Sequence, residues 1–465
     1  MSDPAPAPPT SSAALTASPL TAAPDRVAQA TPADLSASAS HGGGGGGRSG
    51  GGYTGTEKWL VLAAAFLGWM FDGLEMGIFP QIARSALNRD MLGLDASTAA
   101  AVVEDTIKWW HQIIDACFLF GAAAGGLIFG WMGDRVGRVK AMAFAILVYS
   151  GFTGLLYFVQ SPGQIAALRF VAAVGMGGEW ALGVALVMEV WDAKYRPLLA
   201  GMIGAAANVG FVIVGLIGAV IKVDQTNWRV FAIVGAAPAL LTFLIRLFVP
   251  ESHAWKATQK VKPSRPLSEL FGDRKLAVAA ALAIAFASVA LLGTWGAVQK
   301  IPSWVGAPGF PGQTKAAQGN TQMALGLGAI VGCMIAPLVA AWLNRRVAYF
   351  LLCVGSLAAC QYLFRAEHVY GLNFLVTAFF VGAVTAAVYG WLPLYLPELF
   401  PTRVRATAQG IAFNFGRILA GAGAIWGGTI GGSYAKMGAI VSLVYALGMV
   451  LIWLAPETKG RPLPE

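Results

Sequence analysis

The chain alternates long apolar runs with short polar segments over most of its length. Ile113 to Phe129 and Ala141 to Tyr157 are two such runs. With its flanks, each run has about the 20 residues that cross a bilayer as a helix. The pattern therefore predicts membrane helices joined by tight loops. The first span is predicted from Lys58 to Ala83, and the second half predicts spans near 277–299, 320–343, 346–364, 370–396, 404–428 and 432–455.

The composition agrees with a helical membrane protein. Hydrophobic residues make up 57% of the chain and charged residues 12%, with a mean hydropathy of +0.64. A soluble domain carries about 25% charged residues. The net charge of +9 resides mostly in loops, which predicts a cytoplasmic face and gives no reason to expect nucleic acid. The four cysteines lie in apolar segments without metal-like spacing, so we expect buried thiols and neither metal nor cofactor.

One loop between two apolar runs has a distinctive sequence. From Gly130 to Lys140 it reads GWMGDRVGRVK. Its glycines permit a tight reversal, and its cations belong on the cytoplasmic side of a membrane. The spacing resembles the loop that follows the second helix in the major facilitator superfamily. The resemblance implies a transporter that alternates access by rocking two halves around a site near the middle of the membrane.

The chain also repeats itself. Glu189 and Arg196 are seven residues apart, as are Glu398 and Arg405, and the offset between the two pairs is 209 residues. With the resemblance, this duplication predicts an all-α membrane protein with twelve transmembrane helices in two pseudo-symmetric six-helix bundles. The predicted parts are a disordered tail (1–55), an N-terminal bundle (56–250), a cytoplasmic linker (251–276), a C-terminal bundle (277–456) and a cytoplasmic tail (457–465).

Asp72, Glu75 and Glu179 are acidic residues deep inside predicted spans. Asp72 and Glu75 are three residues apart in the first span and share a helix face. Glu179 lies about 15 Å along the fourth helix from Arg169. An acid in a span costs roughly 2.5–3.5 kcal/mol on insertion scales, so each needs a partner or a wet cavity. We expect these acids to couple transport to protons, and structural ion pairs are the alternative. The first-span pattern resembles the proton symporters for aromatic acids, sialate and lactate.

Arg417 is a cation deep in the eleventh predicted span. A bare arginine there is costly, so we expect an anionic partner, either a protein acid such as Glu398 or the carboxylate of a substrate. The offset of 209 residues pairs Arg417 with Asn208 in the fifth span. The candidates for substrate binding are Arg417, Asn208, Trp69, Asn414, Gln322, Tyr389 and Trp391.

Charged residues near the predicted inner ends of the spans form a second group of candidates. We expect Asp134, Arg138, Glu189 and Arg196 to form a charge network on the inner face of the N-terminal half that stabilises the outward-open state. The corresponding set in the second half is Glu398, Arg403 and Arg405. The complete candidate set is Asp134, Arg135, Arg138, Glu189, Arg196, Glu398, Arg403 and Arg405.

These features predict proton-coupled uptake of a small metabolite, an organic acid rather than a sugar. The expected protein is a monomer in the cytoplasmic (inner) membrane with both termini inside, and its partners are a small-molecule substrate, protons and lipid. The sequence holds no P-loop, metal cluster or soluble catalytic domain, which argues against a pump or an enzyme. A porter of sugars or other neutral solutes remains an alternative, because the Pro-Glu endings of both halves resemble sugar porters. A sensor on the same fold is a further alternative.

Overall fold

Helices form all the regular structure in the part of the chain that is described. The computed structural model describes residues 53–220, 225–261, 265–305, 309–314, 316–426 and 433–464. The predicted disordered tail, 1–55, lies outside these ranges except for its last three residues, and α1 begins at Gly55. Thr54 and Glu57 cap α1 reciprocally, because the Thr54 hydroxyl accepts from the Glu57 N–H and the Glu57 carboxylate accepts from the Thr54 N–H.

The helices of the first half follow the apolar runs closely, with short polar turns between them. In order they are α1 (Gly55–Ala86), α2 (Arg89–Leu92), α3 (Ala100–Arg135), α4 (Arg138–Leu155), α5 (Pro162–Gly177), α6 (Glu179–Val190), α7 (Arg196–Val220) and α8 (Trp228–Leu247). α5 and α6 join directly at Gly178.

Two short helices, α9 (His253–Val261) and α10 (Pro266–Gly272), lie between the halves. The helices of the second half are α11 (Arg274–Gly296), α12 (Ile301–Val305), α13 (Ala317–Trp342), α14 (Arg345–Arg365), α15 (Leu372–Leu399), α16 (Arg405–Trp426), α17 (Tyr434–Val441) and α18 (Val444–Leu451).

Ten helical segments in the described ranges are long and apolar enough to cross a membrane. α5 and α6 together make one of these segments, Pro162–Val190, and α17 and α18 lie in another, Tyr434–Leu454. α8 and α16, of 20 and 22 residues, are not among the ten. The chain therefore crosses the membrane many times, while the count of twelve stays a prediction.

The two halves meet through close helix pairs. α3 packs along α16, and α7 packs along α13 and α15. At the α3–α16 crossing, Gly126 faces the Gly410 carbonyl and the Asn414 side chain, and a β-carbon added at Gly126 would overlap both. Small residues let membrane helices approach closely, and here they bring polar groups of one half against the backbone of the other.

The linker between the halves is ordered and packs on the first half. The predicted basic linker, 251–276, contains α9 and α10. Trp255 Nε1 and Gln259 Nε2 both donate to the Asp134 carbonyl, at 2.7 and 2.9 Å. Glu269 of α10 pairs with Arg403 in the second half at 2.7 Å. A stretch this basic is expected to be solvated, whereas its side chains here provide bonds to both halves.

Candidate functional site

A cavity lies between the two halves. Residues from α1, α7, α11, α13, α15 and α16 line it, so both halves contribute. Five of the predicted substrate-binding residues line it, namely Trp69, Asn208, Gln322, Tyr389 and Arg417.

Arg417 is the cation in the cavity lining. It is buried, and its Nη1 donates to the Asn414 Oδ1 at 2.8 Å. Its guanidinium carbon lies 5.3 Å from the centre of the Phe413 ring. Phe413 and Asn414 precede Arg417 by four and three residues on α16, so the helix itself places them against the guanidinium. The arginine is held by these contacts and still faces the cavity.

Asn414 and Trp391 do not line the cavity, in contrast to the sequence expectation. The Asn414 Nδ2 donates to the Gly177 carbonyl at 2.8 Å, which links α16 to α5 while the amide oxygen holds Arg417. Trp391 is fully buried and donates from Nε1 to the Arg345 carbonyl at 3.0 Å. It stacks on Tyr395 in the core of the second half. The sequence pattern predicted a helix that lines the cavity but could not show that the Trp391 side chain points away from the cavity.

Aromatic rings form much of the cavity wall near Arg417. Trp69 and Tyr389 meet the Phe413 ring edge-on, with centroids 6.0 and 6.1 Å away. Trp180, which does not line the cavity, stacks on the Phe413 ring with centroids 4.0 Å apart. The Tyr389 hydroxyl bonds with the Thr294 hydroxyl. The wall thus combines flat apolar surface with a few fixed polar groups, as small-molecule sites do.

Asp72 lies behind Trp69 on α1 and is fully buried. Neither of its carboxylate oxygens accepts a hydrogen bond from an N–H or O–H in the described part of the chain. The carboxylate of Glu179 lies within hydrogen-bonding reach, and Arg417 lies near enough to attract Asp72 electrostatically. A buried carboxyl without donors is well suited to carry a proton, since protonation removes the cost of its charge.

Glu179 has a partner that the sequence reading missed. Its carboxylate forms an ion pair with Arg246 Nη2 at 2.5 Å, and the same nitrogen donates to the Ala64 carbonyl at 3.2 Å. Gly68 makes room for the pair, because a β-carbon there would overlap both side chains. Arg246 lies four residues before Pro250, so the sequence suggests an exposed cation at the end of the sixth span. The structure shows instead that Arg246 is fully buried, which the sequence could not indicate.

Glu75 and Arg169 form a second buried ion pair. The Arg169 Nη1 donates to the Glu75 carboxylate at 2.5 Å. The guanidinium carbon lies 4.6 and 4.7 Å from the ring centres of Phe79 and Phe118. Asp72 and Glu75 share helix α1, but Glu75 has a guanidinium partner and Asp72 has none among the described residues, so the two acids are not equivalent.

The charged residues at the motif end of α3 form a network that crosses between the halves. Arg138 contacts Asp134 at 2.7 Å, Glu189 at 3.1 Å and the Thr402 carbonyl at 2.7 Å. Arg405 of the second half contacts the same oxygen of Glu189 at 2.9 Å. Arg405 thus takes part in the first-half network, which differs from the predicted division into two separate sets.

The Asp134 carboxylate joins the halves a second time. It accepts from the backbone N–H groups of Ala406 and Thr407, at 3.2 and 2.7 Å, at the start of α16. A carboxylate at a helix N-terminus is favoured by the unpaired N–H groups and the helix dipole. Asp134 therefore binds the second half directly at the motif end of α3.

The remaining predicted network residues lie apart from these contacts. Arg135 lies over the Trp131 ring at 5.2 Å, and Arg403 pairs with Glu269 at 2.7 Å. Arg196 forms no ion pair with Asp134 or Glu189 in the described ranges. The second-half acid Glu398 pairs with Arg345 at 2.7 Å, so it is not the partner of Arg417.

The duplicated Pro-Glu endings cap equivalent helices. Glu251 accepts from the N–H groups of Arg138 and Val139, and Glu457 accepts from those of Arg345 and Arg346. Burial raises the pKa of Glu251. Burial also opposes ionisation of Glu457, but four backbone N–H donors outweigh it and lower its pKa. Both carboxylates therefore fix a helix start, and the second-half copy is the more strongly stabilised anion.

Comparison with known proteins identifies the class. The family model of the Major Facilitator Superfamily matches residues 61–425, so the chain belongs to this superfamily. It is 29% identical to a probable 4-methylmuconolactone transporter of Cupriavidus pinatubonensis, over 85% of this chain and 90% of the relative. It is also 29% identical to the cis,cis-muconate transport protein of Acinetobacter baylyi, over 83% and 92%.

A solved structure supports the same fold. The proton:xylose symporter XylE, bound to 6-bromo-6-deoxy-D-glucose, superposes with a TM-score of 0.70 at 16% identity, covering 88% of this chain and 98% of XylE. At this identity the likeness concerns the fold alone. The family match and the two relatives, together with the apolar helices, identify the protein as a multi-pass membrane transporter of small molecules and not an enzyme.

Proposed function

We propose that this protein is a proton-coupled symporter of a small organic acid that works by alternating access. It would be a monomer with twelve spans, in which α8 and α16 join the ten apolar segments, in a cytoplasmic membrane with both termini inside. The proton would be held by the carboxyl groups of the first half and the substrate anion by Arg417 of the second. Both would be released when the cavity opens to the other side.

The observation that carries this proposal is the placement of Arg417. It lies in the cavity lining, and no carboxylate of the described ranges forms an ion pair with it. A guanidinium presents a fork of donors that matches a carboxylate, so an organic anion is the ligand that this group suits best. Asp72 attracts Arg417 from the opposite half. A proton on Asp72 would remove that competing charge and free Arg417 for the substrate.

The relatives agree with an acidic substrate. The two transporters described above are named for 4-methylmuconolactone and cis,cis-muconate, and other relatives for niacin or nicotinamide and for sialic acid. The likeness to a xylose symporter concerns the fold and does not favour a sugar here. A porter of neutral solutes is therefore the outcome that the test must be able to detect.

Uptake into proteoliposomes with an imposed pH gradient, acidic outside, tests the proposal. The probes are radiolabelled cis,cis-muconate, nicotinate and sialic acid, with xylose as the neutral control. We expect at least one acid to accumulate and xylose not to. Arg417→Gln should lower acid affinity roughly ten- to a hundredfold, because a hydrogen bond to a charged group contributes about 1.5–3 kcal/mol.

Arg365→Gln is the matched control, since Arg365 is an exposed arginine at the last turn of α14. It should transport like the wild type. Uptake of xylose alone, or normal acid uptake by Arg417→Gln, would refute the organic-acid proposal.

A further inference from the structure

The charge cluster behind the cavity contains equal numbers of acids and arginines. Glu75 pairs with Arg169 and Glu179 with Arg246, which leaves Asp72 and Arg417. Asp72 and Arg417 attract each other across the halves without forming an ion pair in the described ranges. With all groups ionised the cluster is neutral. Its members are Asp72, Glu75, Glu179, Arg169, Arg246 and Arg417.

Asp72 is the acid in this cluster that lacks a cationic hydrogen-bond donor. Glu75 and Glu179 each accept from a guanidinium at 2.5 Å, and these bonds favour their charged forms. Neither oxygen of Asp72 accepts from a described donor. The ionisable groups that face Asp72 come from α1, α4, α6, α8 and α16, and they are Glu75, Tyr149, Glu179, Arg246 and Arg417.

The position of Arg246 determines which of the buried acids is stabilised as an anion and which can bind a proton. It binds Glu179 through Nη2, while its Nε and Nη1 have no acceptor in the described part of the chain. Gly68 leaves the space that this geometry needs. Without the guanidinium, Glu179 and Asp72 would be two adjacent buried carboxyls, and both would bind protons.

We propose that Arg246 keeps Glu179 ionised as a fixed ion pair, so that Asp72 is the one carboxyl of the cluster that exchanges a proton during transport. Arg246 is then a positioning residue for proton coupling. This inference rests on the proposed function. It adds the number of protons carried per substrate molecule and the charge of the substrate that this number balances. One proton on Asp72 balances one negative charge at Arg417, so the loaded cluster and the empty cluster are both neutral. Transport of a monocarboxylate is therefore electroneutral, with one proton per anion.

Infrared difference spectroscopy of the reconstituted protein between acidic and alkaline pH tests the assignment without a substrate. Protonated buried carboxyl groups absorb apart from carboxylates, so the cluster acids that titrate can be identified by substitution. We expect one buried band that disappears in Asp72→Asn and persists in Glu179→Gln. Arg246→Gln should add a second band, and Arg246→Lys should restore the wild-type spectrum. A wild-type band that disappears in Glu179→Gln overturns the inference.

The double variant Arg246→Gln/Glu179→Gln guards against a folding defect. It removes the two charges together, so it should insert normally and show the Asp72 band alone. If the second band of Arg246→Gln persists in this double variant, the band does not come from Glu179, and the inference is overturned.

The transport consequence is measured with nicotinate, a monoanion, in vesicles with an imposed potassium diffusion potential. Inside-negative potential should leave wild-type uptake unchanged and accelerate uptake by Arg246→Gln, which would carry an extra proton. A potential-driven wild-type uptake overturns the one-proton stoichiometry. Failure of every acid to respond to a pH gradient instead refutes the proposed function, and the infrared result then decides the role of Arg246 separately.

Discussion

At the scale of single residues, substitutions of Asp72 and Arg417 should impair transport in different ways, because one residue holds the proton and the other binds the substrate. Asp72→Asn removes the proton site but leaves the cavity cation, and it should abolish accumulation driven by a pH gradient while retaining exchange of labelled for unlabelled acid. Parallel measurements of accumulation and exchange in proteoliposomes check this. Asp95→Asn, at an exposed position before α3, is the control and should behave like the wild type. Loss of exchange in Asp72→Asn would contradict the assigned role.

Sequence patterns placed these residues within helices but could not select their partners. Hydrophobic runs give the position of Glu179 along its helix, whereas its pairing with Arg246 depends on how α6 turns towards α8. In the same way, Glu189 bonds with Arg405 from the other half, and the predicted Arg196 points elsewhere. Depth is a property of one helix, while a contact depends on the rotation and packing of two.

At the scale of helices, the α3–α16 crossing should be sensitive to volume. Gly126→Val places carbon atoms against the Gly410 carbonyl and the Asn414 amide, so the helices must separate. Overpacking typically costs about 1–3 kcal/mol. We therefore expect a lower melting temperature in detergent and slower uptake.

The matched control for this crossing is Gly151→Ala in α4, where an added β-carbon meets no atom within 4 Å. It should be neutral or slightly stabilising, because alanine favours a helix over glycine by roughly 1 kcal/mol. Equal effects of the two substitutions would mean that the crossing does not depend on close approach.

The helices themselves were the most predictable level of the structure. Runs predicted near 346–364 and 370–396 correspond to Arg345–Arg365 and Leu372–Leu399. The duplicated Pro-Glu endings likewise correspond to two carboxylates that cap equivalent helices. The linker was less predictable, because its basic composition indicates a solvated chain while the bonds of Trp255 and Gln259 depend on the neighbouring helix.

At the scale of the whole molecule, the bonds between halves at the motif end should set the balance between transporter states. Asp134→Asn keeps the size of the side chain but removes the charge that binds Arg138 and the start of α16. We expect normal insertion, slower uptake and greater reactivity of a cysteine placed near Gly410. Arg135→Gln, outside the network, is the control. Wild-type uptake by Asp134→Asn would indicate that the loop only directs insertion.

The direction of the chain across the membrane is predicted from the same basic loops and can be measured directly. If both termini are inside, α9 should lie in the cytoplasm and the segment before α13 outside. Ala257 and Gln313 are both exposed, so cysteines placed there are suitable reporters. In intact cells an impermeant thiol reagent should label Gln313→Cys and leave Ala257→Cys unlabelled until the membrane is opened. The native chain is the background control, because Cys333, Cys353 and Cys360 are buried and Cys117 is half-buried. The reverse labelling pattern would invert the orientation, and Arg138, Glu189 and Arg405 would then close the outer face of the transporter.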